Sequence, residues 1–220
     1  MNPLGKTILL SAAFFNRDPR TVARALLGKL LIRKTVRGIL AGRIVETEAY
    51  LGEGDLAAHA VAGKTARNFV LFGPPGHAYV YFIYGNHYCL NVSCLPDGVP
   101  GCVLFRALEP VAGIEEMARA REIGLSGLKL GELSVLQKPA WLRRISSGPG
   151  RLCEALGITR ERDNGKSLVS ARSDLRIVDD GYRVRRVAVG PRIGIKKSAD
   201  AQLRYVIVGN AFVSGRMPRA

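Results

Sequence analysis

A-Y-V-Y-F-I-Y-G-N-H-Y-C-L-N-V-S, residues 78–93, reads as a β-hairpin and sets the pattern for the rest of the chain. Two runs rich in aromatic and β-branched residues, Ala78–Tyr84 and His87–Ser93, flank Gly85-Asn86, a pair suited to a tight turn. Side chains alternate along a strand, so Tyr79, Tyr81 and Ile83 share one face while Val80, Phe82 and Tyr84 share the other. Tyr84 also stands at the tip. Upstream, Lys29–Lys34 and Ile39–Ala49 have the same strand-like alternation, joined by a turn near Arg37-Gly38. Downstream, Cys102–Ala107 adds another strand, and Arg176–Val178, Tyr182–Val189, Arg192–Ile195 and Leu203–Val208 read as short strands.

Helices punctuate these strands. Asp18 before Pro19 has the form of a helix start, Val22, Leu26 and Leu27 give that helix an apolar face, and Gly28 ends it. Ala66–Phe72 reads as one short helix closed by Gly73-Pro74-Pro75-Gly76, and Gly113–Ile123 as another. Leu128–Ile145 is ambiguous, a loop with one helical turn. Ser147-Gly148-Pro149-Gly150-Arg151 precedes the helical L-C-E-A-L-G, which fits either a phosphate seat at a helix N-terminus or a plain helix start. No internal repeat or composition break divides the 220 residues. The expectation is α+β: one mixed domain, 1–220, with a curved, mainly antiparallel sheet, flanking helices and a protruding hairpin.

The charge is the second signal. Lys and Arg number 33 against 18 acids, a formal net charge of +15. Residues 1–110 hold 12 basic and 7 acidic side chains and residues 111–220 hold 21 and 11, so the charge belongs to a folded surface rather than a basic tail. Basicity of this size suits a polyanion: nucleic acid, an anionic membrane surface or ribosomal neighbours. No apolar run approaches the roughly 18 residues that span a bilayer. The N-terminus lacks a convincing cleavage region, and a cytoplasmic location is expected, on the nucleoid in a bacterium. Cys89, Cys94, Cys102 and Cys153 form no C-x-x-C pair and no metal-like spacing with histidine, so neither a disulfide framework, a metal site nor a cofactor is expected.

Chemistry-bearing residues crowd between Gly42 and Asn91, where five of the 7 tyrosines and all 3 histidines fall. A soluble core seldom uses tyrosines this way, because each buried hydroxyl needs a partner. In E-T-E-A-Y, a strand puts Glu46 and Glu48 on the same face. Arg106, in the apolar L-F-R-A-L-E-P, requires a partner carboxylate.

Together these segments (G-R-I-V-E-T-E-A-Y-L-G-E-G-D-L-A-A-H, then H-A-Y-V-Y-F-I-Y-G-N-H-Y-C-L-N-V-S) resemble the alkyladenine, or 3-methyladenine, DNA glycosylase family. The resemblance runs from about Arg20 to the C-terminus and is densest from Gly42 to Pro110. It implies a monofunctional glycosylase, acting as a monomer on duplex DNA with damaged purines: 3-methyladenine, 7-methylguanine, hypoxanthine or ethenoadenine. Glu48 would activate the attacking water, with Arg106 and a backbone carbonyl near Ile193 as its other holders. Tyr50, His59 and Tyr81 would sandwich the extruded base, Asn91 would crowd the 2-amino group of normal guanine, and Tyr84, beside Gly85, would fill the gap in the stack. Arg151 would grip the DNA backbone. Two departures, the compact stretch from His59 to Asn68 and His87 in place of an expected aromatic, bear on DNA grip and substrate range. Without the resemblance, a non-catalytic nucleic-acid-binding module, or another hydrolase using Glu48 and His59 on a small anionic substrate, fits the same residues.

Overall fold

The longest strand, β3 (Gly38–Tyr50), is the spine of the computed structural model, which describes residues 4–123 and 140–218. Across a two-residue turn, Thr35 lies opposite Gly38, and β2 (Leu30–Thr35) pairs with the first half of β3. Further on, β9 (Arg204–Ile207) takes over that edge and pairs with Glu46, Thr47 and Glu48. The other edge carries β6 (Cys102–Ala112), whose register against β3 slips between Ile44 and Thr47. Such irregularities bend a strand and add twist. The sheet therefore curls into a half-barrel. It is antiparallel throughout and nine-stranded among the described residues. Its order is β1 (Ile8–Leu9), β7 (Leu175–Asp179), β2, β3, β6, β5 (His87–Ser93) and β4 (Ala78–Ile83), with β8 (Val187–Gly190) hydrogen-bonded to β9.

One face of the sheet is covered by helices. After the short α1 (Ala12–Phe15), α2 (Pro19–Leu26) starts as the sequence implies: the Asp18 carboxylate accepts the Arg20 amide at 2.8 Å and Pro19 occupies the first turn. Gly28, just past its end, has φ 85°, a left-handed conformation that glycine takes without strain. Val22 and Leu26 of α2 join Val80, Leu90, Val92, Val103 and Phe105 from the strands in the main core. Leu152 and Cys153 of α5 (Pro149–Ala155) complete it. Burying this much apolar surface is the principal drive to fold. The opposite face holds a separate cluster of Tyr79, Cys102, Ala60, Val70 and Leu71, against which Tyr50 and Tyr81 pack. Because strands alternate, this second face receives Glu46, Glu48 and Tyr50, then Tyr81, Asn91 and Arg106.

Remaining helices are short: α3 (Ile114–Ala120), α4 (Arg143–Ser146) and α6 (Arg160–Asp163). A buried ion-pair cluster pins α6 to the sheet: Arg33 of β2 meets Asp163 at 2.7 Å and Asp174 at 3.0 Å.

Several boundaries differ from the sequence reading. Ile83 faces His87, so the hairpin turns through three residues, Tyr84-Gly85-Asn86, rather than two. Tyr84 leaves the strand at φ 56°. Within Ala66–Phe72 only Phe69–Phe72 coils, as a 3-10 turn. Helix α5 begins at Pro149, so Gly150 and Arg151 lie inside its first turn. Tyr182–Arg186 stays outside the sheet, where Tyr182 packs against the Arg43 guanidinium at 4.1 Å. Arg192–Ile195 is a turn and not a strand, since the Arg192 side chain is drawn inward and Gly194 takes φ 74°. The expected loop over Leu128–Ile145 lies outside the described residues up to 139; from there a 3-10 turn, Ala140–Leu142, runs into α4. All four cysteines are buried and free. Among the described residues no helix is long and apolar enough to cross a membrane, and no His, Cys, Asp and Glu cluster has metal-binding form.

Candidate active site

Glu46 and Glu48 project from β3 onto the same face, as alternation requires, but their surroundings differ. Glu46 is saturated: its oxygens accept from Arg106 Nε at 3.1 Å, Arg204 Nε at 2.6 Å and the Ser214 amide at 2.6 Å. Glu48 meets one guanidinium rather than two. One oxygen receives the Ile193 N–H at 2.8 Å and faces Arg106 Nη1 at 3.2 Å; the other accepts the Tyr50 hydroxyl at 3.0 Å. Burial pushes the Glu48 carboxyl above the usual range, against the opposing pull of Arg106, the Ile193 amide and Tyr50. Arg106 thus has the carboxylate partner its apolar strand demands, and it has two. It stands mid-strand in β6, between the pair, and burial alone would lower its affinity for a proton, an effect that the two carboxylates outweigh.

The three groups that hold Glu48 (Tyr50, Arg106 and Ile193) all line a groove of about 510 Å³, so the carboxylate lies directly beneath the groove floor. The groove shares Tyr50, Tyr81, Ile83 and Ile195 with a smaller cavity of about 120 Å³, whose walls also include His59, Tyr79, Asn91 and Cys102. Register explains the assembly: Tyr79 lies opposite Asn91, Asn91 opposite Leu104, and Leu104 opposite Glu48, so neighbouring strands deliver their site-facing side chains side by side. His59 reaches in from a 3-10 turn, His59–Ala62, and meets the Tyr81 ring edge-on at 4.5 Å. Its Nδ1 lies 2.9 Å from the Tyr79 hydroxyl, which also interacts with the Arg67 guanidinium. Burial, aided by the Arg67 charge, holds His59 below the usual imidazole range, so the ring is neutral near pH 7. Burial likewise raises Tyr50 and Tyr81, and Tyr79 to about 12. The cavity is a chamber of uncharged aromatic and amide groups with a charged floor beside it. Asn91 donates to the Tyr79 carbonyl at 3.2 Å, which fixes its amide at the wall.

At the groove's outer end stand Tyr84, His87, Arg121 and the segment from Gly148 to Arg151. Tyr84 is 83% exposed at the hairpin tip, and Gly85 beside it takes φ 73°. His87 does not simply stand in for an aromatic: its Nδ1 meets Glu154 of α5 at 2.8 Å, and the same carboxylate pairs with Arg121. The hairpin is thereby tied to α5 beside its tip. Arg151 adds its cation to this rim, with Nη1 3.3 Å from the Ser147 carbonyl.

Of the residues expected at the site, Tyr50, His59, Tyr81 and Asn91 line the chamber, Arg106, Ile193, Tyr84 and Arg151 line the adjoining groove, Glu48 is buried against Tyr50, Arg106 and Ile193, and Gly85 lies next to Tyr84 in the hairpin turn. At Ile193 the amide N–H donates to Glu48, a bond distinct from the nearby carbonyl that the family resemblance implies as a holder of the water. Arg192 and Asp55 were missed. Asp55 ends the stretch E-A-Y-L-G-E-G-D, and the pair joins at 2.6 and 2.8 Å across 137 residues. A distance of that length in sequence leaves no local signal.

A family model described as methylpurine-DNA glycosylase matches residues 13–211. A protein of Koribacter versatilis (strain Ellin345) is 64% identical over 207 residues, covering 94% of this chain and 93% of its own. One of Burkholderia cenocepacia (strain HI2424) is 46% identical over 212 residues, covering 96% and 93%. A third, of Methanocella arvoryzae, is 45% identical over 196 residues, covering 89% of both. Each of the three bears the name "Putative 3-methyladenine DNA glycosylase".

Proposed function

The chain belongs to the methylpurine-DNA glycosylase family, and on that premise we propose that this DNA glycosylase excises alkylated and deaminated purines with a water activated by Glu48. The observation that carries the reading is the placement of Glu48 beneath the groove floor, between the Arg106 guanidinium and the Ile193 N–H, beside an aromatic chamber. As the N-glycosidic bond breaks, its electron pair leaves with the base. The water oxygen bonds to the sugar C1′, and Glu48 takes the water's proton. The carboxylate charge also steadies the oxocarbenium-like sugar.

The aromatic walls fit the substrates. Purines alkylated at N3 or N7 are cationic, and aromatic faces attract cations. Such a base leaves without protonation, so 3-methyladenine and 7-methylguanine need only the water and the pocket. Hypoxanthine and ethenoadenine are neutral and need a proton as they depart. Asn91, fixed at the wall, crowds a 2-amino group and so disfavours normal guanine. Because a base inside a duplex is out of reach, it is extruded, and Tyr84 fills the space it leaves. Gly85 and Arg151 approach the flanking backbone. Among the described residues no lysine lines the chamber, and Lys64 is the sole lysine from Gly42 to Asn91; base release by water alone, leaving an intact abasic strand, is therefore the reading, carried out by a monomer in base excision repair.

The test is to incubate the protein with a duplex bearing one hypoxanthine and with methylated DNA, then measure free base and strand breaks before and after alkali. Base release with breaks only after alkali is expected. Release from methylated DNA alone would restrict the pocket to cationic purines. No release from either, with duplex binding intact, would refute the reading.

A further inference from the structure

Arg192 is buried, and it lines neither the chamber nor the groove, although Tyr50 lines both. Its guanidinium carbon lies 4.6 Å from the centroid of the Tyr50 ring. The cation therefore sits over one face of the Tyr50 ring while staying outside the chamber and the groove. It is fixed there by two bonds to Asp55, at 2.6 and 2.8 Å, and one to the Ala49 carbonyl at 3.1 Å. Asp55 in turn accepts the amides of Leu51 and Ala57. Burial opposes the Asp55 charge, but the Arg192 bonds and the two amides hold its carboxyl below the usual range, so the pair is ionised.

We propose that Arg192 is a positioning residue that sets the preference of the pocket between cationic and neutral purines, acting through Tyr50. An aromatic face attracts a cation through its quadrupole. A guanidinium already seated on one face of that ring draws on the same π density and repels a second cation brought to the ring. Dispersion and stacking with a neutral base are left almost intact. The ring is in contact with the positive member of the ion pair, so it feels that charge most. Arg192 consequently tempers the attraction for N-alkylated purines and allows neutral lesions to compete. It also precedes Ile193, whose N–H holds Glu48, so one short turn supports both the stacking wall and the carboxylate. The inference rests on the reading of Tyr50 as a wall of the base pocket.

The test compares wild type with Arg192→Gln/Asp55→Asn, which removes both charges together and leaves an amide pair, avoiding a lone buried ion. Single-turnover excision of 7-methylguanine and of hypoxanthine is measured in the same duplex context, with melting temperatures alongside. The ratio of cationic to neutral excision should rise about three- to tenfold, as expected when a contact of cation–π size is restored. Arg192→Lys, which keeps the charge, should keep the wild-type ratio. Should the amide pair fail to fold, Arg192→Met/Asp55→Asn carries the same test with an apolar chain against the ring. Equal loss on both substrates, or an unchanged ratio in a folded variant, would overturn the proposal. Tyr50→Leu separates the two levels. If it leaves both rates untouched, the pocket reading fails and this inference with it. If it slows excision while the neutral pair leaves the ratio unchanged, this inference alone fails.

Discussion

Replacing Tyr84 by glycine should leave the free protein as stable as before while slowing excision from duplex DNA. The Tyr84 side chain is 83% exposed, so it contributes little to the core, and its φ of 56° is a left-handed conformation that strains a residue with a Cβ. That strain is about 1–2 kcal/mol for an L-residue. Glycine relieves it but loses about 0.5–1 kcal/mol through its greater freedom in the unfolded chain. The net change is near zero or slightly favourable, a melting shift of about 0 to +4 °C for a chain of this size. On duplex DNA the balance reverses. A tyrosine that fills the vacated stack supplies about 1–3 kcal/mol, so its loss slows excision by about 5- to 150-fold. Single-turnover excision of hypoxanthine should show this loss in duplex and little loss in a single strand, which has no stack to refill. Equal slowing on both forms, or full activity on the duplex, would refute the wedge.

Glu48→Gln should melt above wild type at pH 7.5. The folded carboxyl binds its proton more tightly than the unfolded one, so its stabilising contribution is present below the unfolded value and lost as pH rises through the folded value; glutamine escapes that loss. Thermal melts from pH 4 to 8 should show the gap closing toward acid, and a gap constant with pH would contradict it. Excision of 7-methylguanine should rise up to tenfold per pH unit on its acid side and level off only above the usual carboxylate range, because the base form of Glu48 is required. A flat profile from pH 4.5 upward would argue against a raised carboxyl. Arg33→Met strands the fully buried Asp163 and should cost about 3–5 kcal/mol, a fall of roughly 10 °C in melting temperature, with the ratio of substrates unchanged. A loss under 1 kcal/mol by urea unfolding would show that Lys166 suffices as its partner.

Local pattern made much of this molecule legible. The Asp18-Pro19 helix start, the β2–β3 turn and the two faces of the hairpin follow from neighbours in sequence, and all three stand in the structure. Elements whose conformation is set by distant partners were not legible. Arg192–Ile195 has the β-branched residues of a strand, yet the pull of Asp55 on Arg192 turns it into the loop that serves Glu48. Gly85-Asn86 suggests a two-residue turn, whereas Tyr84 itself adopts the left-handed conformation. The difference in surroundings between Glu46 and Glu48 is likewise invisible in E-T-E. It arises because Arg204 and the Ser214 amide, from the C-terminal end, give Glu46 a second guanidinium, whereas Glu48 meets Arg106 with the Ile193 N–H and the Tyr50 hydroxyl. The aromatic density from Gly42 to Asn91 marked the region of the chamber, and the family pattern assigned its roles; charge alone pointed no further than a polyanion.

The most direct measurement is single-turnover excision by wild type and Glu48→Gln on one damaged duplex, with the dissociation constant of each for that duplex. Loss of at least about a hundredfold in rate is predicted, the size of a positioned base's contribution, with duplex affinity within a few-fold of wild type. Excision by Glu48→Gln at the wild-type rate would contradict the assignment of Glu48 as the group that activates the water.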